Sequence, residues 1–123
     1  MTLGEQFVES LPRKTRFYDR NERRSYALTR AIAARLIDDP ALVESGLAYA
    51  RRYMSNDPAQ TRHFAMWQEQ LRHNVVDIVR NLLEDSPRGN LLRDTQPVFC
   101  VLPDEVRREI IKRAGTEGGT VTV

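Results

Sequence analysis

Residues 27–43 read ALTRAIAARLIDDPALV, and this stretch indicates the fold class. Leu28, Ile32 and Leu36 recur at every fourth position, with alanines between them. This spacing is typical of an amphipathic α-helix that packs one apolar face against a core. Because alanine and leucine also have high helix propensities, we expect one helix over residues 21–38 with these three side chains facing inward.

Three predicted helix starts share one sequence pattern, a capping residue followed by proline. Asp39-Pro40, Asp57-Pro58 and Ser86-Pro87 each place an oxygen-bearing side chain directly before a proline. The oxygen can accept a hydrogen bond from a free backbone N–H group, and a proline at the first helical position has no N–H group to leave unpaired. Thr2 and Glu5 have the spacing of a capping box, which predicts one more helix start.

Apolar spacing between these starts completes the outline of the fold. We expect either a bent helix or two helices around Asn74, an extended segment over residues 95–103 and a last helix over residues 104–114. The predicted fold class is all-α, a compact bundle of six or seven short helices with a flexible basic N-terminal arm. We expect a short helix plus the basic arm over residues 1–24, the helical domain over residues 25–114 and a disordered tail over residues 115–123.

The composition indicates one globular domain without disulfides. The chain has 123 residues, of which 41% are hydrophobic and 29% are charged, and single cores usually span about 100–150 residues. Cys100 is the only cysteine, which excludes an internal disulfide framework and a zinc site built from several cysteines. No apolar run approaches the roughly 18–20 residues of a membrane helix, and the first residues lack the pattern of a secretory signal. We therefore expect a cytoplasmic protein with no membrane partner.

Positive charge is concentrated near the N-terminus. Residues 13–35 contain eight basic and two acidic residues, although the whole chain has a formal net charge of only +2. Phe17, Tyr18 and Tyr26 lie between these basic residues. Such a segment can bind an acidic protein surface, or contact phosphates and stack on nucleic-acid bases. The pattern leaves both partners open, beside a solvated surface segment that binds neither.

A second aromatic patch is predicted in the middle of the chain. Tyr49 and Tyr53 are one helical turn apart and adjoin Arg52, and tyrosine and arginine are enriched at the cores of protein interfaces. The candidate partner-binding residues are therefore Arg13, Lys14, Arg16, Phe17, Tyr18, Arg20, Arg23, Arg24, Tyr49, Arg52 and Tyr53.

No pattern in the chain predicts catalytic residues, a metal site or a cofactor. His63 and His73 would lie about 80° apart around a continuous helix and roughly 15 Å apart along it, so they do not form a metal-binding pair. Glu69, His73 and Asp77 would share one helix face, which is more typical of solvated salt bridges. Cys100 has apolar neighbours in sequence, so we expect it to be buried and inert. A non-catalytic protein is expected.

Several stretches resemble a group of small bacterial helical proteins, some of which act as antitoxins of toxin–antitoxin modules. These stretches are residues 27–36 followed by 39–43, Trp67 with Leu71, residues 82–86, and residues 91–93 followed by 97–99 and 101–102. The resemblance covers about residues 25–113 and transfers no catalytic residue. It implies an all-helical protein that neutralises a partner toxin or enzyme. The basic arm would fit an acidic surface on that partner, and the alternative is a nucleic-acid-binding or autoregulatory protein that uses the same segment.

Overall fold

Helix α2 (Arg20–Asp38) lies at the centre of the computed structural model, which describes residues 1–117 of the chain. It contacts α1 (Leu3–Ser10), α3 (Leu42–Tyr49), α5 (Val75–Leu83), α6 (Pro87–Thr95) and α7 (Asp104–Glu117). A π-helical turn (Ala50–Met54) and a 3-10 turn (Pro58–Gln60) join α3 to α4 (Thr61–Gln70). These 117 residues contain seven α-helices and no strand, so the predicted all-α class is confirmed.

Two of the four predicted capped starts begin an α-helix, at Thr2 and Ser86. Asp57 caps only the 3-10 turn, and α4 begins at Thr61 without a side-chain cap. Thr2 Oγ1 accepts the Glu5 N–H at 3.0 Å, and Glu5 Oε1 accepts the Thr2 N–H at 3.1 Å, which completes the capping box. Ser86 Oγ accepts the Gly89 N–H at 3.0 Å at the start of α6. Asn74 Oδ1 accepts the Asp77 N–H at 2.9 Å. Because Asn74 caps α5, residues 61–83 form two helices instead of one bent helix.

Helix α3 begins later than the Asp39-Pro40 pair predicts. The Asp39 N–H donates to the Arg35 carbonyl at 2.8 Å, so this residue already ends α2. A tight turn follows, in which the Leu42 N–H donates to the Asp39 carbonyl at 3.1 Å. The α-helix then begins at Leu42 without a side-chain cap. The prediction that the Asp39 carboxylate caps this helix is wrong, because Asp39 is the C-cap of α2 and α3 begins three residues later.

The inward face of α2 also differs from the predicted line. Leu36 is fully buried, but Leu28 and Ile32 are only half-buried. The core-facing line consists of Tyr26, Thr29, Ala33 and Leu36. The small side chains of Thr29 and Ala33 allow neighbouring elements to approach the helix axis closely. Helix α2 is therefore rotated from the orientation that its largest aliphatic side chains predict.

The extended segment that follows α6 supplies part of the core. Phe99 and Leu102 are buried, whereas Val98 and Val101 are exposed. The Phe99 ring lies edge-on to Trp67, with ring centres 5.8 Å apart. An added Cβ at Gly46 would lie 2.4 Å from the Phe99 ring. The absence of a side chain at Gly46 therefore makes room for this aromatic contact.

Helix α7 extends beyond its predicted end. The last predicted helix stops at residue 114, but α7 continues to Glu117. The first three residues of the predicted disordered tail are thus helical. Residues 118–123, the rest of that predicted tail, lie outside the residues that the structure describes.

A buried arginine joins α5, α6 and α2. Arg93 is 5% exposed. Its Nη1 donates to the carbonyls of Leu82 at 2.7 Å and Glu84 at 3.0 Å, and its Nη2 donates to Asn90. The guanidinium also lies 5.1 Å from the centre of the Tyr26 ring. Burial lowers the pKa of Arg93, although nearby Tyr26 and carboxylates oppose that shift. The side chain satisfies carbonyls that the end of α5 leaves without helical partners.

We predict that Arg93→Met lowers the free energy of unfolding by about 2–3 kcal/mol, because it leaves buried carbonyl groups without donors. Urea denaturation monitored by circular dichroism measures this change. Arg88→Met is the matched control, since Arg88 is exposed on the same helix, and we expect it to change stability by less than about 0.5 kcal/mol. Equal stability of the two variants would contradict a structural role for Arg93.

Candidate functional site

Part of the predicted basic arm is packed against the helical body. Lys14 is only 9% exposed. Its Nζ lies 3.0 Å from Asp85 Oδ1 and 3.2 Å from Glu22 Oε1. Its backbone N–H donates to the Tyr26 hydroxyl at 3.0 Å. This lysine therefore connects the segment after α1 to both α2 and the loop that precedes α6.

An aromatic contact holds the same segment in place. The Phe17 ring is half-buried and lies 5.5 Å from the Tyr26 ring. Lys14 and Arg23 both place their cationic groups over Phe17, at 5.5 and 5.8 Å from the ring centre. Cations at this range are attracted by the ring's electrons. Lys14 and Phe17, which belong to the predicted basic arm, therefore have partners on the body.

The remaining arm residues face solvent or a groove. Arg13, Arg16 and Arg20 are exposed, and Tyr18 is 84% exposed. Neither Arg16 nor Arg20 forms a salt bridge within residues 1–117. Arg24 is half-buried and points into the groove described next. The predicted set thus divides into residues that contact the body, such as Lys14 and Phe17, and exposed residues, such as Arg16, Tyr18 and Arg20.

An open groove runs along α2, and we call it the α2 groove. Its volume is about 510 Å³, and its walls include Arg24, Leu28, Ile32, Gln96, Arg107 and Ile111. These side chains come from α2, from the segment after α6 and from α7. Leu28 and Ile32, which the sequence predicts to face the core, form part of its apolar floor. Within residues 1–117, no aspartate or glutamate lines it.

Two arginines in the α2 groove have no anionic partner. Neither Arg24 nor Arg107 forms a salt bridge with any of the described residues. The Nε of Arg24 is buried and has no hydrogen-bond acceptor. A buried donor without an acceptor is costly, so an oxygen atom from a bound molecule would be favourable here. The groove therefore combines an apolar floor with unpaired donors.

A second groove on the other flank of α7 has a different character. It has a volume of about 560 Å³ and includes Val106 and Ile110. Its carboxylates have internal partners, since Glu9 pairs with Arg30 at 3.0 Å and Asp38 accepts the Gly4 N–H at 2.7 Å. Arg30 Nη1 is also buried without a hydrogen-bond partner among the described residues. The groove nevertheless carries Glu5, Glu9 and Asp38, so an acidic partner would meet like charge here, in contrast to the α2 groove.

Sequence reasoning missed Leu28, Ile32, Gln96 and Arg107 as site residues. The repeat of Leu28 and Ile32 at consecutive turns was visible, but the same repeat equally describes a core-facing line. The positions of Gln96 and Arg107 depend on how the extended segment and α7 pack on α2. No local signal marks that packing.

The second predicted patch lies beyond the end of α6. Tyr49 and Tyr53 have ring centres 4.9 Å apart, and the Arg52 guanidinium lies 5.3 Å from the Tyr53 ring centre. Asp94 lines both the cleft beside these tyrosines and the hollow beside Tyr18. The two predicted patches are thus neighbours, but the structure does not merge them into one surface.

The described residues contain no group of three or more histidine, cysteine or acidic side chains that could hold a metal ion. The stripe predicted for Glu69, His73 and Asp77 does not form, because α4 ends at Gln70. Cys100 is half-buried instead of buried. Burial raises the pKa of its thiol, and Arg35 acts in the opposite direction. A raised pKa favours the less reactive protonated thiol.

None of the helices within residues 1–117 is long and apolar enough to cross a membrane. Comparison of the chain with protein-family models, curated proteins and solved structures finds no match.

We predict that Lys14→Met lowers the free energy of unfolding by about 1–2 kcal/mol at neutral pH. Burial acts to lower the pKa of Lys14, but its contacts with Asp85 and Glu22 outweigh this effect and raise it above 10.5. The stabilisation is therefore fully present below the unfolded-state pKa and is lost as pH rises through the higher folded-state pKa.

Thermal denaturation between pH 7 and 11 tests this expectation. The stability difference between the wild type and Lys14→Met should shrink above about pH 10.5. Arg16→Met is the control, because Arg16 is exposed and forms no salt bridge within the described chain. A difference that stays constant with pH would contradict the ion-pair explanation.

Proposed function

We propose that this chain is a non-catalytic, cytoplasmic protein that binds another protein and acts as an antitoxin-like neutraliser of a partner toxin or enzyme. The proposal rests on the α2 groove. Among the described residues, Arg24 and Arg107 have no anionic partner, and no carboxylate lines the groove. An acidic segment of the partner that also carries apolar side chains would complement this groove.

Each part of the groove suits one part of such a segment. A carboxylate can accept two parallel hydrogen bonds from one guanidinium, so Arg24 and Arg107 can each bind an acidic side chain. Apolar side chains of the partner would cover Leu28 and Ile32, which are half-exposed, and displace water from them. Binding then gains from burial and from charge pairing together.

The exposed end of the basic arm would assist association. Arg16, Tyr18 and Arg20 lie in sequence just before Arg24 and face solvent. Positive charge at the edge of an interface increases the rate at which an acidic partner arrives, and this effect weakens as salt screens it. Lys14 and Phe17 are excluded from the proposed interface, since they hold the arm on the body.

Charge near Tyr18 opposes one mode of nucleic-acid binding, the stacking of bases on the Tyr18 ring. Asp19, Glu22 and Asp94 line the hollow beside Tyr18. Carboxylates at this position would repel the phosphates of a strand whose bases stacked on the ring. We therefore expect no electrophoretic shift of duplex DNA or RNA by the purified protein at about 50 mM salt. A shift that weakens steeply with salt would instead support the nucleic-acid alternative.

The binding prediction uses charge reversal within the groove. A pull-down with the untagged chain first identifies a stoichiometric partner, whose affinity is then measured by calorimetry. We expect Arg24→Glu with Arg107→Glu to raise the Kd at least about tenfold, because both changes place like charge against the partner.

The double variant Arg62→Glu and Arg72→Glu is the charge-matched control. Arg62 and Arg72 are exposed on or just after α4, away from the α2 groove. We expect this control to change the Kd by less than about threefold. Equal losses in the two double variants would mean that only net charge matters and would remove the groove from the proposal.

Neutralisation needs a separate test in cells. We expect production of the partner alone to arrest growth or to deliver a measurable enzyme activity, and co-production of this chain to suppress that effect. The Arg24→Glu and Arg107→Glu variant should suppress it less. A chain that binds the partner tightly and leaves its effect unchanged would retain the binding function and overturn the antitoxin-like role.

A further inference from the structure

A cleft beside the π-helical turn is lined by carboxylates and tyrosine rings, whereas the α2 groove is lined by arginines and apolar side chains. We call it the α6 cleft, and its volume of about 400 Å³ lies within the usual range of small-molecule sites. The side chains that matter for its chemistry are Tyr49, Tyr53, Asp57, His63, Asp94 and Gln96. No lysine or arginine of the part of the chain that the structure describes lines it.

Two aromatic rings form one wall of the α6 cleft. The Tyr49 and Tyr53 rings are inclined at 45°, with their centres 4.9 Å apart. Tyr53 belongs to the π-helical turn, in which the Ser55 N–H reaches back to the Ala50 carbonyl at 3.0 Å. Such turns are rare and are frequent at functional sites. Arg52 already places a cation over Tyr53, although Arg52 does not line the cleft.

Gln96 contributes an acceptor without a donor. Its Nε2 donates to Thr29 Oγ1 at 2.9 Å and to the Arg93 carbonyl at 3.2 Å. Because a carbonyl can only accept, these contacts fix the orientation of the amide. Its Oε1 is buried and has no hydrogen-bond partner. Gln96 lines the cleft, and a donor that reached this oxygen would satisfy it.

The other polar groups of the cleft also accept hydrogen bonds. His63 Nδ1 lies 3.0 Å from Gln60 Oε1. With the Gln60 amide oriented in this way, Nδ1 is the donor of this contact, and Nε2 of an uncharged imidazole can accept. Asp57 uses Oδ1 to cap the Ala59 N–H at 2.9 Å, and the Asp94 carboxylate makes no hydrogen bond within the described chain. Carboxylates and aromatic faces both attract cations.

We infer that the α6 cleft binds the guanidinium group of an arginine-type ligand, either as free arginine or as an arginine side chain of a peptide. A guanidinium carries five N–H donors and is planar, so it can satisfy several acceptors and stack on a tyrosine ring at the same time. This inference does not depend on the proposed function, since the ligand is different and the linings of the two sites share only Gln96.

The test uses the full-length protein and two forms of the ligand. Nα-acetyl-L-arginine amide represents a peptide side chain, L-arginine represents the free amino acid, and Nα-acetyl-L-citrulline amide is an uncharged analogue of similar shape. Two-dimensional NMR titration should show saturable shifts of the amides near Tyr53 and Gln96, with a Kd on the order of 1 mM for at least one arginine form. The citrulline amide should bind at least fivefold more weakly.

Three variants locate the binding. Asp94→Asn and Tyr53→Leu should each raise the Kd about three- to tenfold, because one removes the attracting charge and the other removes an aromatic face. Both residues are exposed, and a circular dichroism melt verifies that each variant folds. Glu44→Gln removes the same charge from an exposed site on α3 and should leave the Kd unchanged.

Three results would overturn the inference. They are the absence of saturable shifts with either arginine form up to about 20 mM, equal binding of the citrulline amide, and an equal loss in Glu44→Gln and Asp94→Asn. Tighter binding of the amide than of free arginine would identify a peptide as the source, and the reverse order would identify the free amino acid. A failed partner experiment on the α2 groove would leave these outcomes unaffected.

Discussion

The buried guanidinium of Arg93 is the constraint on which the arrangement of the other elements depends. It donates to two carbonyls at the end of α5 and lies against the Tyr26 ring of α2. Tyr26 in turn accepts the Lys14 N–H and packs against Phe17. One polar side chain therefore links three helices and the N-terminal segment, and its hydrogen bonds offset the cost of removing its charge from water.

The way α7 packs on α2 creates the open surfaces of the molecule. Among the side chains that are described in α7, Ala114 is the only buried one. A helix that buries so little apolar surface cannot fill the space on either side of its axis, and a groove remains along each flank. In one groove the carboxylates have internal partners, whereas in the α2 groove Arg24 and Arg107 have none. The α2 groove is the better candidate for an acidic partner because no described aspartate or glutamate lines it, whereas Glu5, Glu9 and Asp38 line the other groove.

The α2 groove and the α6 cleft have opposite electrostatic properties, and Gln96 lines both. The groove presents unpaired donors over an apolar floor, and the cleft presents carboxylates and other acceptors beside two tyrosine rings. The formal net charge of +2 does not reveal that unpaired donors and carboxylates lie in two separate sites. Because charges interact strongly only over short distances in salt, two neighbouring sites can select ligands of opposite charge.

The sequence by itself determined the all-α class and most helix starts, because caps such as Thr2 with Glu5 and Ser86 with Pro87 act within a few residues of the backbone groups that they satisfy. It also located the basic segment, from which Arg24 enters the candidate site. Tertiary structure alone decided that Lys14 is an internal ion-pair partner, that Leu28 and Ile32 line a groove, and that Gln96 and Arg107 join them. Periodicity identifies an apolar line on a helix, but which face is buried depends on the shapes of distant elements that pack against it.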